Sequence, residues 1–204
     1  GGRFYYSSKY TSKMSMIWSH ATNSLEKVIN AVQDPSITAV ECDVLLGVAQ
    51  EGGQTFYDTP ILAHPPNRES DVSVASLLLR VTQDGESRER ILTKNLKLDF
   101  KDIRAVEPTL KLLQTSNISN PHGKSIFLNA DILVGPGRRG DIPVPPDDFL
   151  QKCLDHILSC NVSQERGVQF HASHLPQVLL PMRWVPGQTG SLFAVAGIHV
   201  CMGF

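Results

Sequence analysis

Glu41 and Asp43 stand two residues apart in the run Ala39-Val40-Glu41-Cys42-Asp43-Val44. In an extended strand that spacing points both carboxylates to one face, where they can meet a single divalent cation. Asp99 and Lys101 repeat the spacing in Asn95-Leu96-Lys97-Leu98-Asp99-Phe100-Lys101, which alternates apolar and polar residues with the period of a strand. His20 follows the short apolar segment Met14 to Trp18, and His64 closes Pro60-Ile61-Leu62-Ala63-His64, so two imidazoles are available to accept and donate protons. Singly, each piece has a plainer reading: Glu-x-Asp as a solvated face or an ion pair, each histidine as a hydrogen-bonded structural residue, Asp99 with Lys101 as a same-face ion pair. Together they suit displacement at a phosphodiester. A cation held by Glu41, Asp43 and Asp99 would neutralise nonbridging oxygens, and Lys101 would add fixed positive charge. His20 and His64 would exchange protons with nucleophile and leaving group.

Such residues meet only if the elements bring them together. The stripe Leu25, Val28, Ile29, Val32 predicts an amphipathic helix, with Asn23 and Glu26 at capping-box spacing, and it follows a first strand ending at Trp18. Residues 39–46 read as a second strand, Gly47 to Asp58 as a Gly-rich loop, and Ser73 to Val81 as a second helix. A third strand over 95–101 precedes a helix with Pro108 in its first turn, then a fourth strand over 125–133 and a helix opened by Asp147 and Asp148. Strand and helix alternate, which predicts a parallel sheet with helical crossovers, an α/β fold whose site lies at the carboxyl ends of its strands.

After about Ser159 the rhythm stops, and from Gly167 to Phe204 Arg183 is the only formally charged residue. Gln177 to Leu180 and Leu192 to Val195 could supply strands, but Pro176, Pro181 and Pro186 count against them. The chain therefore divides into an α/β domain over 14–159 and a divergent tail over 160–204, disordered or splice-derived.

The 204 residues suffice for one domain, and 41% apolar with 19% charged residues describes a globular chain with a real core. Nineteen basic against twenty acidic residues, a net charge of -1, lack the footprint of a general nucleic-acid binder. Cys42, Cys153, Cys160 and Cys201 are scattered without a Cys-x-x-Cys pair and read as buried apolar fillers. No apolar run is long enough for a transmembrane segment. The chain starts Gly1-Gly2-Arg3 with no visible signal peptide, so its true start is expected to be missing, and secreted and cytoplasmic locations both stay open.

The ordered set Trp18-Ser-His20-Ala-Thr-Asn23-Ser24, Glu41-Cys-Asp43, Pro60-Ile-Leu-Ala-His64-Pro65-Pro66, Lys97-Leu-Asp99-Phe-Lys101 and Asn129-Ala-Asp131-Ile-Leu-Val-Gly135-Pro136 resembles the menorin family over roughly residues 16–158. That family is similar, more distantly, to phospholipase C-like phosphodiesterases such as glycerophosphodiester phosphodiesterase and sphingomyelinase D, which are TIM-type barrels. The resemblance implies His20 and His64 as the catalytic pair, Lys101 as a phosphate contact, and Glu41, Asp43 and Asp99 as ligands to Mg2+ or Ca2+. Asn129 and Asp131 match the motif without an assigned role. The implied substrate is a phospholipid or small phosphodiester. The alternative is a noncatalytic recognition protein with cell-surface partners, acting in neuronal or photoreceptor development and maintenance. A full barrel needs eight strand-helix units, and only four strands are convincing here. The expectation is an incomplete TIM-barrel-type fold, a splice variant or fragment with a replaced C-terminus and little activity.

Overall fold

The computed structural model describes residues 16–81, 93–116, 124–131, 144–164, 190–195 and 198–203. In chain order the elements are β1 (Trp18–Ser19), α1 (Leu25–Gln33), β2 (Ala39–Glu51), β3 (Gln54–Leu62), β4 (Glu69–Ser70), α2 (Val74–Val81) and β5 (Asn95–Phe100). A 3-10 turn at Ile103–Ala105 leads into α3 (Val106–Thr115), β6 (Ile126–Asp131), α4 (Pro146–Gln164), β7 (Gly190–Val195) and β8 (Ile198–Gly203). Strand order is β1-β2-β5-β6-β8-β7, and every neighbouring pair from β1 to β8 is parallel. This is the α/β architecture that the alternating sequence predicts.

Alternation within the strands divides their residues between two faces. Val40, Cys42 and Val44 of β2, Leu96, Leu98 and Phe100 of β5, and Ile126, Leu128 and Ala130 of β6 join one buried cluster. The same cluster takes in Val28 and Ala31 of α1, Leu77 and Leu78 of α2, Val106, Leu110 and Leu113 of α3, and Phe149 and Cys153 of α4. Phe100 meets Phe149 with ring centroids 5.9 Å apart. The intervening residues of the same strands, Glu41, Asp43, Lys97, Asp99, Asn129 and Asp131, fall on the opposite face by the same alternation.

That opposite face is concave. Trp18 on β1 meets Phe127 on β6 edge-on at 6.0 Å between ring centroids, although β2 and β5 lie between their strands. In a flat sheet three strand spacings would separate those backbones by roughly 14 Å, so the rings touch because the sheet curls as a barrel wall does. It does not close. β1 and β7 form the two ends of the sheet, and among the described residues no pairing joins them.

Two expectations change. Gly47 to Asp58 is not a loop: β2 continues to Glu51 and turns into β3, with Glu51 and Gln54 as register partners. Gly52 (φ 57°) and Gly53 (φ 79°) form the two-residue turn between them, a conformation that needs positive φ at both positions. The helix α1 is capped by Ser24, whose hydroxyl accepts from the Lys27 N–H at 3.4 Å, and not by Asn23. Asn23 is occupied elsewhere.

Gly47 is required for a packing reason. A Cβ there would lie 2.5 Å from the Arg68 carbonyl oxygen and 2.6 Å from Ile61 Cδ1. Gly47→Ala is therefore expected to cost about 1–3 kcal/mol, read as a lower midpoint in urea unfolding. An unchanged midpoint would contradict this account of the β2–β4 contact.

The C-terminal region joins the sheet. β8 pairs with β6 in parallel from Ile126↔Ile198 to Asp131↔Gly203, and β7 folds back antiparallel on β8. The proposed strand at Leu192 to Val195 lies within β7, while Gln177 to Leu180 falls outside the described residues. Pro176, Pro181 and Pro186 all precede β7, so they cost it no ladder hydrogen bond. The helix α4 continues to Gln164.

Candidate functional site

Register places the acidic residues at one level of the concave face. Asp43 pairs with Asp99 across β2 and β5, and Asp99 pairs with Asn129 across β5 and β6. Glu41 lies two residues earlier on β2, on the same face. Each of Glu41, Asp43 and Asp99 offers an oxygen within 4.8 Å of the other two, and the residues are only 2%, 6% and 6% exposed. All three donors are hard carboxylate oxygens, the chemistry that suits a hard divalent cation.

Amide N–H groups fix the three carboxylates. Ala21 takes the left-handed backbone conformation, φ 50°, and its N–H donates to Glu41 Oε2 at 2.7 Å. Asn23 clamps Asp43 twice: its Nδ2 donates to Asp43 Oδ2 at 2.7 Å, and its Oδ1 accepts from the Asp43 N–H at 2.9 Å. Asn129 Nδ2 donates to Asp99 Oδ1 at 2.7 Å. The loop after β1 and the neighbouring strand β6 thus orient the acids of β2 and β5, as outer-shell partners do around a metal site.

Lys101 stands just beyond β5, tied to the sheet by its N–H to the Val44 carbonyl at 2.8 Å. Its ammonium lies 3.4 Å from Asp43 Oδ1, 3.1 Å from Asp99 Oδ2 and 3.1 Å from Asp131 Oδ2. Burial works against that charge, yet Asp99 and Asp131 outweigh it and hold the ammonium protonated well above the usual lysine range. Lys97 adds a longer contact to Asp99 Oδ2 at 3.9 Å. Among the described residues, four carboxylates facing two ammonium groups leave two negative charges, which one divalent cation would cancel.

The two histidines differ in their surroundings. His20 is well exposed, with Nδ1 3.5 Å from Glu41 Oε2. His64 follows Ala63, whose N–H donates to the Asp43 carbonyl at 3.1 Å, so its backbone adjoins the cluster. Its own ring turns to the loop, with Nδ1 2.8 Å from the Pro65 carbonyl oxygen. Glu41, Asp43, Asp99 and Lys101 therefore meet, His20 joins them through Glu41, and His64 stands beside them without a described ring contact to the acids.

Cys42, between the two acids in sequence, faces the core. Burial first, and the charges of Glu41 and Asp43 next, push its thiol well up, while burial alone pushes Cys153 up to about 12. Both are free and buried, as fillers should be. The side chains of Cys160 and Cys201 lie outside the described set.

Sequence reasoning missed the roles of Ala21, Asn23 and Asp131. Asn23 was legible in principle, because Ser24 beside it is an equally good helix cap and frees the asparagine for other work. Asp131 stands two residues after Asn129, the same-face spacing that identifies Asp99 and Lys101. Nothing in the residue type announces the left-handed conformation of Ala21.

Residues 12–180 match the model of the menorin N-terminal domain, which is most of the chain and extends past the motifs. The human protein FAM151B is 34% identical over 119 residues, which is 58% of this chain and 38% of that protein. A short-chain dehydrogenase, chyC, of Penicillium rubens is 36% identical over 74 residues, 36% of this chain and 28% of the enzyme. The chain thus spans well under half the length of either relative. No solved structure gives a significant match. With the family model covering the strands that carry the acidic cluster, the chain belongs to the menorin N-terminal domain family, which links it to the phospholipase C-like phosphodiesterases.

Proposed function

We propose that the concave face carries a metal-dependent phosphodiesterase-type site, with a phospholipid or small phosphodiester as substrate. The buried set Glu41, Asp43 and Asp99 carries this reading, because three carboxylates this close with net negative charge are costly without a cation. Glu41, Asp43 and Asp99 would hold Mg2+ or Ca2+, and the bound ion would supply Lewis-acid neutralisation of the nonbridging phosphodiester oxygens.

The remaining work falls to the chain's own side chains. Lys101, fixed between Asp99 and Asp131, presents positive charge at the rim and would contact the phosphate. His64 must carry its proton on Nδ1 to bond the Pro65 carbonyl, which leaves Nε2 as the acceptor. His20 turns Nδ1 to Glu41 and likewise presents Nε2. Both imidazoles are then arranged to exchange a proton at Nε2, one with the nucleophile and one with the leaving group.

The test is hydrolysis of lysophospholipid and glycerophosphodiester panels with Mg2+ or Ca2+ by a full-length family member. Counterparts of His20→Ala and Glu41→Ala should fall by about 100-fold or more, the range expected for an acid-base group or a ligand. This chain, with its sheet open at β1 and β7, should show little turnover.

A second reading, noncatalytic recognition of a cell-surface partner in neuronal or photoreceptor maintenance, is favoured by the exposed apolar side chains Met16, Ile17, Trp18, Phe56 and Tyr57. Absence of turnover in the full-length protein, with both variants still rescuing cells, would select it.

A further inference from the structure

Asn129 carries an atom that the site described so far leaves unused. Its Nδ2 donates to Asp99 Oδ1, and because a carboxylate only accepts, it is the amide nitrogen and not the oxygen that faces that atom. The amide oxygen is buried, in a residue only 2% exposed, and among the described residues it has no hydrogen-bond partner. Leaving an amide oxygen so is costly, because its lost hydration goes uncompensated.

Among the described residues no neighbouring group satisfies it. The Lys101 ammonium donates to Asp99 Oδ2 and Asp131 Oδ2 and lies 3.4 Å from Asp43 Oδ1, so its described contacts are with the acids. Asn129 occupies the same register level as Asp43 and Asp99, so the orphan belongs to the acidic cluster and not to the core. Amide geometry sets its oxygen about 2.2 Å from the nitrogen, and that nitrogen is 2.7 Å from Asp99 Oδ1.

We propose that Asn129 supplies the fourth protein oxygen of the cation site, coordinating through Oδ1 while its Nδ2 orients Asp99. The inference rests on the cation reading above and adds a neutral ligand to the three acids. A site of four protein oxygens and no nitrogen or sulfur donor takes Mg2+, Ca2+ or Mn2+ in preference to zinc.

The experiment uses the whole chain labelled with 13C at asparagine and loaded with Mn2+. Electron-nuclear double resonance should show the 13C coupling of a directly bound amide. In labelled Asn129→Asp, which keeps an oxygen at the position but no labelled amide, Mn2+ should remain bound and that coupling should vanish. Asn129→Ala should bind Mn2+ at least tenfold more weakly. Mn2+ bound to the parent chain without the coupling, or equal affinity in Asn129→Ala, would overturn the fourth ligand while leaving the acidic site intact. A folded parent chain that binds no Mn2+ at all would overturn the cation reading itself.

Discussion

Replacing Lys101 by methionine should destabilise the cation-free chain by about 3–5 kcal/mol, the usual cost of removing one partner from a buried ion pair. Lys101 is 10% exposed and is the shared counter-charge of Asp43, Asp99 and Asp131. Without it, those carboxylates face one another in a poorly hydrated groove. Set against the 5–15 kcal/mol that holds a typical domain folded, the loss is large. Millimolar Mg2+ or Ca2+ should restore much of it, and the variant should bind the ion more tightly than the parent, because the competing ammonium is gone. Thermal unfolding with and without the cation reads both effects. An unaltered midpoint, or a loss that divalent cations leave untouched, would mean that the acids are not held by charge.

The alkaline side of this contribution has a definite sign. The folded state holds the Lys101 proton more tightly than the unfolded chain, whose lysine titrates near 10.5. Its stabilisation is therefore complete below that value and is lost only as pH rises beyond it, through the folded pKa.

Why part of the site could be read in advance, and part not, follows from how locally each feature is determined. Glu41 with Asp43, and Asp99 with Lys101, share a face because strand pleating fixes a two-residue period. No tertiary information is needed for that step. The α/β class was equally legible, since apolar stripes in α1 and α3 alternate with β-rich runs. Asn23 was misread because its spacing to Glu26 imitates a cap, and only the fold shows that its amide is taken by Asp43. The β2–β3 hairpin is hidden in the sequence because Gly52-Gly53 lies among polar residues that together read as loop, although two glycines between strands also satisfy a tight turn. The orientation of the His64 ring depends on the Pro65 carbonyl, a detail of loop geometry that no residue pattern encodes.

Glu41→Gln should have the largest effect on ion binding. Glutamine keeps the shape and can still accept from the Ala21 N–H through its amide oxygen, so the loop after β1 has no reason to move. What it removes is one negative charge from a residue 2% exposed. Affinity for Mg2+ or Mn2+ should fall by more than about 100-fold, beyond the roughly 10–100-fold typical of an outer-shell partner, while far-UV circular dichroism stays that of the parent. Isothermal titration distinguishes the cases. Unchanged affinity would make Glu41 a partner of His20 and of Ala21 alone.

The most direct test of the central claim is the stoichiometry of Mn2+ on the purified chain, counted from the free-ion electron paramagnetic resonance signal. One ion per chain, lost in Asp99→Asn and displaced by Mg2+ or Ca2+, is the predicted result. A chain that unfolds cooperatively yet leaves all added Mn2+ free would contradict it.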